Sequence, residues 1–324
     1  MTFNLLAIAQ SGRLEHEAIL LAASLRLSDP AFSGTLYIGE PQPGPKWRED
    51  PRMSDRSRKT LTALGATILP FETRVFGTDY PHGNKIEALA ALPDAPFLFL
   101  DTDTLITGPV SAVAFDFTRP SASMKRENTW PKVELYGPSL TQTWQSLYDR
   151  FGLDFPRSWD TTHPDDYWQR YLYFNAGWFF HASPHAFGNR FLAWAKDIRA
   201  NPPEALVCQE LFPWLDQIAL PLVIHSFDGG RPGPELAALD GTATCHYRTL
   251  PLLYARESDS AVQVLETLAA DPDFRPVLRH WGAFKRMVIQ GEGTKARALF
   301  DRGNLPRREQ MIRNALKREG LWVR

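Results

Sequence analysis

The sequence predicts an α/β fold with a mostly parallel central sheet flanked by helices and a C-terminal helical extension. Three observations lead there. Apolar runs suited to strands alternate with helical patterns through the first hundred residues, the order that builds a parallel sheet. Phe97-Leu98-Phe99-Leu100 has no polar alternation, the mark of a strand buried on both faces. Strand patterns stop after Tyr247, and the rest reads as helices.

The elements follow in order. Asn4-Leu5-Leu6-Ala7-Ile8-Ala9 reads as the first strand and Gln10-Ser11-Gly12 as a turn. A helix over 15–27 carries Ala18, Leu21 and Leu25 on one face, beside Leu14. A second strand over 35–38 ends at Gly39, and 41–51 is a proline-rich loop. A helix over 56–64 stops at Gly65, and 66–69 is a third strand. A helix over 84–92 leads into Phe97. Beyond it, 121–124 reads as a short strand and 130–138 as a loop. Leu140, Trp144, Leu147, Tyr148 and Phe151 fall at helical spacing and belong to a core, and 155–166 is a polar rim. A second apolar strand covers 171–180, interrupted by Asn175-Ala176-Gly177. Helices over 187–198 and 204–215, a last strand over 242–247, and helices over 260–270 and 307–318 complete the chain. The expected division is an α/β domain over 1–254 and a helical extension over 255–324.

Composition sets limits. The 324 residues carry a net charge of -1, which gives no general attraction for nucleic acid, so no nucleic-acid partner is expected. No apolar run approaches the ~18 residues of a membrane span. The N-terminal residues lack a basic region before their apolar segment, so no signal peptide is expected. Cys208 and Cys245 are too few for a disulfide framework or a cysteine metal site, and a reducing cytoplasm is the expected setting.

The chemistry starts at Asp101 and Asp103, where the apolar strand should end. Residues i and i+2 of an extended chain point the same way. The two carboxylates can therefore aim at one point in the crevice at the strand's carboxyl end, where open α/β sheets bind ligands. Two hard anionic oxygens there suit Mg²⁺ or Mn²⁺ shared with ligand phosphates.

In this setting the residues resemble nucleotide-sugar glycosyltransferases of the GT-A fold, especially the glycogenin-like enzymes of glycosyltransferase family 8. The likeness is carried by the opening strand, turn and helix, by Lys85 sixteen residues ahead of Asp101, and by Asp101-Thr102-Asp103. Phe174-Asn175-Ala176-Gly177 and Asp216-Gln217 follow in the family's order. The resemblance implies metal-dependent transfer of a sugar, with retention, from a nucleotide-diphosphate sugar, a UDP-sugar being the expected donor. The acceptor would be a glycan or a lipid-linked glycan. It implies that Asp101 and Asp103 hold Mn²⁺ or Mg²⁺ against the diphosphate, that Lys85 donates to the same phosphates, and that Asn175 and Gly177 approach the donor sugar. Asp216 and Gln217 would sit beside the anomeric centre as catalytic residues, with Asn175. Ala9 and Gln10, at the first strand's end, stand where the family meets the nucleotide, without the aromatic that stacks on uracil there.

The family's third metal ligand is a histidine, usually in His-x-x-Gly-x-x-Lys. His246, ending the last predicted strand, and His280, in His280-Trp281-Gly282, are the two candidates, with His246 preferred because ligands sit at strand ends. Two other classes stay open. An apolar strand followed by Asp-x-Asp also begins the haloacid dehalogenase-type phosphatases, whose Asp-x-Asp-x-Thr is approached by Asp101 to Thr104 with Leu105, and there Asp101 would be a nucleophile. A non-catalytic carbohydrate-binding module could keep the GT-A fold. Trp130 and Trp159 are the candidate acceptor-stacking residues. Residues 294–324 are strongly basic, and Met311, Ile312, Ala315 and Leu316 form an apolar stripe beside a terminal tryptophan, so peripheral contact with an anionic membrane is a further expectation.

Overall fold

The computed structural model describes residues 2–125, 130–133 and 135–324; Met1, and Glu134 within the predicted 130–138 loop, lie outside them. Strands β1 (Asn4–Ile8), β2 (Leu36–Pro41), β3 (Thr67–Phe71), β4 (Phe97–Leu100) and β6 (Trp178–His181) form one sheet in the order β3-β2-β1-β4-β6. All neighbours are parallel except β4 and β6, which pair antiparallel from Phe97 opposite His181 to Leu100 opposite Trp178. Strands β5 (Thr104–Ile106) and β7 (Thr244–His246) form a separate antiparallel pair.

The period of two along the strands divides the core. Leu5 and Ala7 of β1 and Leu98 and Leu100 of β4 join a cluster with helix α1 (Arg13–Ser28). Leu6, Ile8, Phe97 and Phe99 face the other way, into a cluster with helices α4 (Leu140–Arg150), α5 (Pro184–Ala200) and α6 (Leu215–His225). Before them come α2 (Asp55–Ala63) and the single turn α3 (Asn84–Glu87), which continues as a 3₁₀ turn over Ala88–Ala91. The C-terminal elements α7 (Leu250–Arg256), α8 (Asp259–Ala270) and the last helix (Glu309–Arg318) pack into the α1 side of the core, with Leu253, Leu265, Ile312, Leu316 and Leu321 in that cluster. No helix among the described residues is long and apolar enough to cross a membrane.

Several elements differ from expectation. Strand β2 does not end at Gly39 but runs through it to Pro41, because Gly39, Glu40 and Pro41 pair with Leu69, Pro70 and Phe71 of β3. The 121–124 segment makes one isolated bridge, Ala122 to Phe179, instead of a strand. Residues 171–174 are buried but not in the sheet; Ala176, with φ of 56°, breaks the extended run just ahead of β6. The 204–215 helix is replaced by a 3₁₀ turn over Glu204–Leu206 and irregular chain, and α6 starts at Leu215. Pro213 disfavours helix at the residue before it, while Pro221 is accommodated inside α6.

Candidate active site

The acidic turn at the end of β4 is tied at each residue to a different segment. The Asp101 N–H donates to the Gly177 carbonyl at 2.8 Å, just ahead of β6. The Thr102 hydroxyl donates to the Ile8 carbonyl of β1 at 2.5 Å. The Asp103 carbonyl accepts from Tyr247 N–H at 3.0 Å, just past β7. Three strand ends thus fix the direction of both carboxylates at the carboxyl end of the parallel strands.

His246 closes the third side. Its Nε2 lies 3.1 Å from Asp103 Oδ1 and 3.9 Å from Asp101 Oδ2. One ligand atom from each of the three residues falls within 4.8 Å of the others. Two carboxylate oxygens and an imidazole nitrogen at that spacing fit a divalent cation such as Mn²⁺. Burial would raise the Asp103 carboxyl, but His246 and Arg13 outweigh it and hold it down to about 2. Asp103 therefore offers an ionised oxygen at any ordinary pH.

Gly177 serves this geometry. A β-carbon on it would meet His246 Nδ1 at 2.5 Å and Asn175 Oδ1 at 2.8 Å. The glycine makes room for the imidazole.

On the opposite side, Lys85 of α3 donates from Nζ to Asp101 Oδ1 at 2.8 Å and to the Ala176 carbonyl at 3.2 Å, and lies 3.5 Å from Asp216 Oδ2. Burial would lower this amine, yet Asp101 and Asp216 keep it above its ordinary value. Asp216 lies in the first turn of α6, not after a helix as the sequence suggests, and its side chain is buried between Lys85 and Tyr80. Neighbouring Gln217 is half-buried and accepts from the Tyr173 hydroxyl at 2.8 Å.

The remaining predicted residues scatter. Gln10 Oε1 accepts from Asn84 Nδ2 at 3.2 Å on the rim of the site, whereas Ala9 is fully buried with its N–H on the Gly39 carbonyl. Asn175 is half-buried; its Oδ1 accepts from Gly177 N–H at 2.6 Å and its Nδ2 donates to the Lys125 carbonyl. His280 is elsewhere, 3.1 Å from Arg56 Nη1 of α2, and does not join the acidic turn. Trp130 is not an open stacking platform: it is buried edge-on against Trp144 with its indole N–H on the Glu210 carbonyl. Trp159 is half-buried with Arg170 over its ring at 4.8 Å.

Arg13, Glu17 and Tyr80 were not singled out by sequence. Arg13 Nη1 lies 2.7 Å from Glu17 Oε1 and 3.8 Å from Asp103 Oδ2, and donates to the Arg248 carbonyl at 3.2 Å. Burial, with Asp103 nearby, pushes the Glu17 carboxyl well above the usual range although Arg13 opposes it. Arg13 and Glu17, one turn apart on α1, were the available signal, since Glu17 breaks the helix's apolar face. A cavity of about 250 Å³ opens over the turn, bounded by Gln10, Arg13, His82, Asn84, Lys85 and the two aspartates.

The family described as the Rhodobacterales glycosyltransferase domain matches residues 5–228. No curated protein matches the chain. Among solved structures the chain is similar to the galactosyltransferase LgtC in complex with donor and acceptor sugar analogs, at 12% identity and a TM-score of 0.48, over 85% of this chain and 100% of that one. The apo bifunctional glycosyltransferase WbbM shares 13% identity at a TM-score of 0.49, over 86% of this chain and 51% of that one. GlyE of Streptococcus pneumoniae TIGR4 shares 12% identity at a TM-score of 0.43, over 89% of this chain and 65% of that one.

Proposed function

The chain belongs to the Rhodobacterales glycosyltransferase domain family, and on that premise we propose that it moves a sugar from a nucleotide-diphosphate sugar, a UDP-sugar first among them, to a glycan or lipid-linked acceptor with retention. The observation that carries the donor and metal reading is the convergence of Asp101, Asp103 and His246 on one point, with Lys85 beside it. A divalent ion held there, Mn²⁺ or Mg²⁺, would neutralise charge growing on the departing diphosphate.

The chain's own groups take the other tasks. Lys85, already desolvated and aimed at Asp101, supplies a fixed positive charge for the phosphates. Asp216 holds Lys85 from behind. Its two oxygens already face Tyr80 and Lys85, so its part is to orient the amine. Gln217 and Asn175 are the candidates for contact with the donor sugar, since Gln217 is partly exposed beside Asp216 and Asn175 is fixed against Gly177. The family assignment disfavours the phosphatase reading, and no observation on the site supports it.

The basic tail fits peripheral membrane contact through charge alone. Arg307, Arg308, Lys317 and Arg318 are exposed, whereas Ile312 and Leu316 are already buried in the fold. The two free cysteines suit a reducing cytoplasm.

The test is a screen of nucleotide-sugars for Mn²⁺-dependent donor hydrolysis, reading which nucleoside diphosphate is released. Release from one donor, lost on chelation, supports the proposal. A complete panel with no release overturns it.

A further inference from the structure

A larger cavity than the one over the acidic turn lies elsewhere in the fold. It holds about 550 Å³ and lies along the outer side of β6, between residues 114–121 and 225–236, and shares no lining residue with the site above. That volume suits a small organic ligand. Arg119, Arg157 and Arg231 line it with His225, and Asp116 and Glu235 stand on its rim.

Arg231 is the unusual member. Its Nη1 donates to the Ser158 carbonyl at 2.7 Å and its Nη2 to the Arg170 carbonyl at 2.9 Å. Among the described residues no carboxylate comes within ion-pair distance of it. Burial pulls its guanidinium below the ordinary value, and more distant Asp160 offsets only part of this. A desolvated cation without a counter-ion is costly unless something supplies the opposite charge. The other two arginines differ: Arg157 is paired with Asp228 at 2.9 Å, and exposed Arg119 has no side-chain partner among the described residues.

His225 is kept neutral: burial, then Arg157 and Arg231, lower it to about 4. A neutral imidazole carries one donor and one acceptor. Two carboxylates add acceptors suited to hydroxyl groups. The wall therefore combines fixed guanidiniums for an anion with a mixed set of donors and acceptors for a polyol.

We propose that this cavity is a second saccharide site, apart from the transfer centre, which takes a sugar bearing a carboxylate or phosphate with Arg231 as its counter-ion. That the ligand is a saccharide rests on the glycosyl-transfer reading. The anion is bound through charge-assisted hydrogen bonds from Arg231 and Arg119, for which a guanidinium fork is well shaped.

The experiment is titration calorimetry of the full chain with glucuronic acid, glucose 6-phosphate, glucose and inorganic phosphate. At least one anionic sugar should bind about tenfold tighter than glucose and than inorganic phosphate, the size expected for one charge-assisted contact. Arg231→Gln and Arg119→Gln should each remove that preference. Equal binding of glucose, or of inorganic phosphate alone, overturns the proposal, and so does a preference that survives Arg119→Gln. Arg119 decides the matter if Arg231→Gln does not fold, because Arg231 also ties two main-chain carbonyls. Donor hydrolysis by the unsubstituted protein reads the transfer proposal separately. Hydrolysis without anionic-sugar binding overturns this site alone, and binding without hydrolysis supports the site while overturning the transfer reading.

Discussion

Tyr80 donates its phenol proton to Asp216 Oδ1 at 2.6 Å and accepts the Asp216 main-chain N–H at 2.9 Å on the same oxygen. The pair closes a ring at the start of α6, and Lys85 meets the other Asp216 oxygen. A chain of contacts thus runs from Tyr80 through Asp216 and Lys85 to Asp101. Tyr80→Phe would leave a buried carboxylate and a helix N–H each short of a partner. The expected loss is about 1–3 kcal/mol, read as a lower denaturant midpoint. An unchanged midpoint would show that water replaces the phenol.

The imidazoles should separate cleanly in metal titrations. His246→Ala removes one of three converging ligands and should weaken Mn²⁺ binding at least tenfold, measured by electron paramagnetic resonance of free Mn²⁺. His280→Ala, whose ring faces Arg56, should leave it alone. The reverse ranking would move the metal site.

Gly177→Ala tests the same imidazole without touching a ligand. The added methyl would press on His246 Nδ1, so Mn²⁺ affinity should fall by about tenfold or more. Wild-type affinity in a folded Gly177→Ala protein would mean that the ring can shift freely.

Stability should depend on pH through His225. Its folded-state value of about 4 lies below the unfolded value of about 6.5, because burial, Arg157 and Arg231 outweigh Asp154. The unfolded chain therefore binds the proton first as pH falls. Stability is full above about pH 6.5, declines as pH drops, and the loss levels off near pH 4, at up to about 3 kcal/mol. Denaturant curves of wild type and His225→Gln should converge in slope with pH everywhere except that window. Identical profiles through it would refute the assignment.

The C-terminal helix is expected to act as part of the fold. Deleting residues 307–324 would strip Ile312 and Leu316 from the core, where one large aliphatic side chain is worth about 2–5 kcal/mol. Loss of cooperative unfolding is the predicted result. Anionic liposomes at low salt provide the companion measurement on the intact protein. Sedimentation that high salt reverses supports the charge-only membrane contact, and no sedimentation removes it.

Much of the frame is legible in the chain. Phe97 to Leu100 has no polar residue, so burial on both faces follows directly, and the carboxylate pair at the strand's end is visible at once, although the ties of the turn to Gly177, Ile8 and Tyr247 set its direction. Lys85 is readable only through the family's spacing. What is hidden depends on contacts distant in sequence. Tyr80 and Asp216 are 136 residues apart, and nothing local marks the tyrosine. Trp130 sits in a loop pattern, yet packing against Trp144 buries it. Helix α6 is masked by Pro213 and Pro221, which local rules read as breakers. The sequence does read a strand over 242–247 and prefers His246 to His280; what it cannot show is the β5 partner that brings that strand to the acidic turn.

That small ladder also orders the life of the polypeptide in time. The matched family region ends at residue 228, but His246 comes later, and Arg248 beside it is held by Glu309 at 2.8 Å. Glu309 also takes Arg256 at 2.6 Å and Arg313, and the main chain of Arg248 receives Arg13, which borders Asp103. A chain emerging from the ribosome folds from its N-terminal end. The sheet and both aspartates are therefore synthesised first, while the brace behind His246 is supplied by Glu309, 61 residues beyond Arg248. The acidic turn and His246 can thus come together before the contact that braces them, and that brace arrives only with the helix Glu309–Arg318.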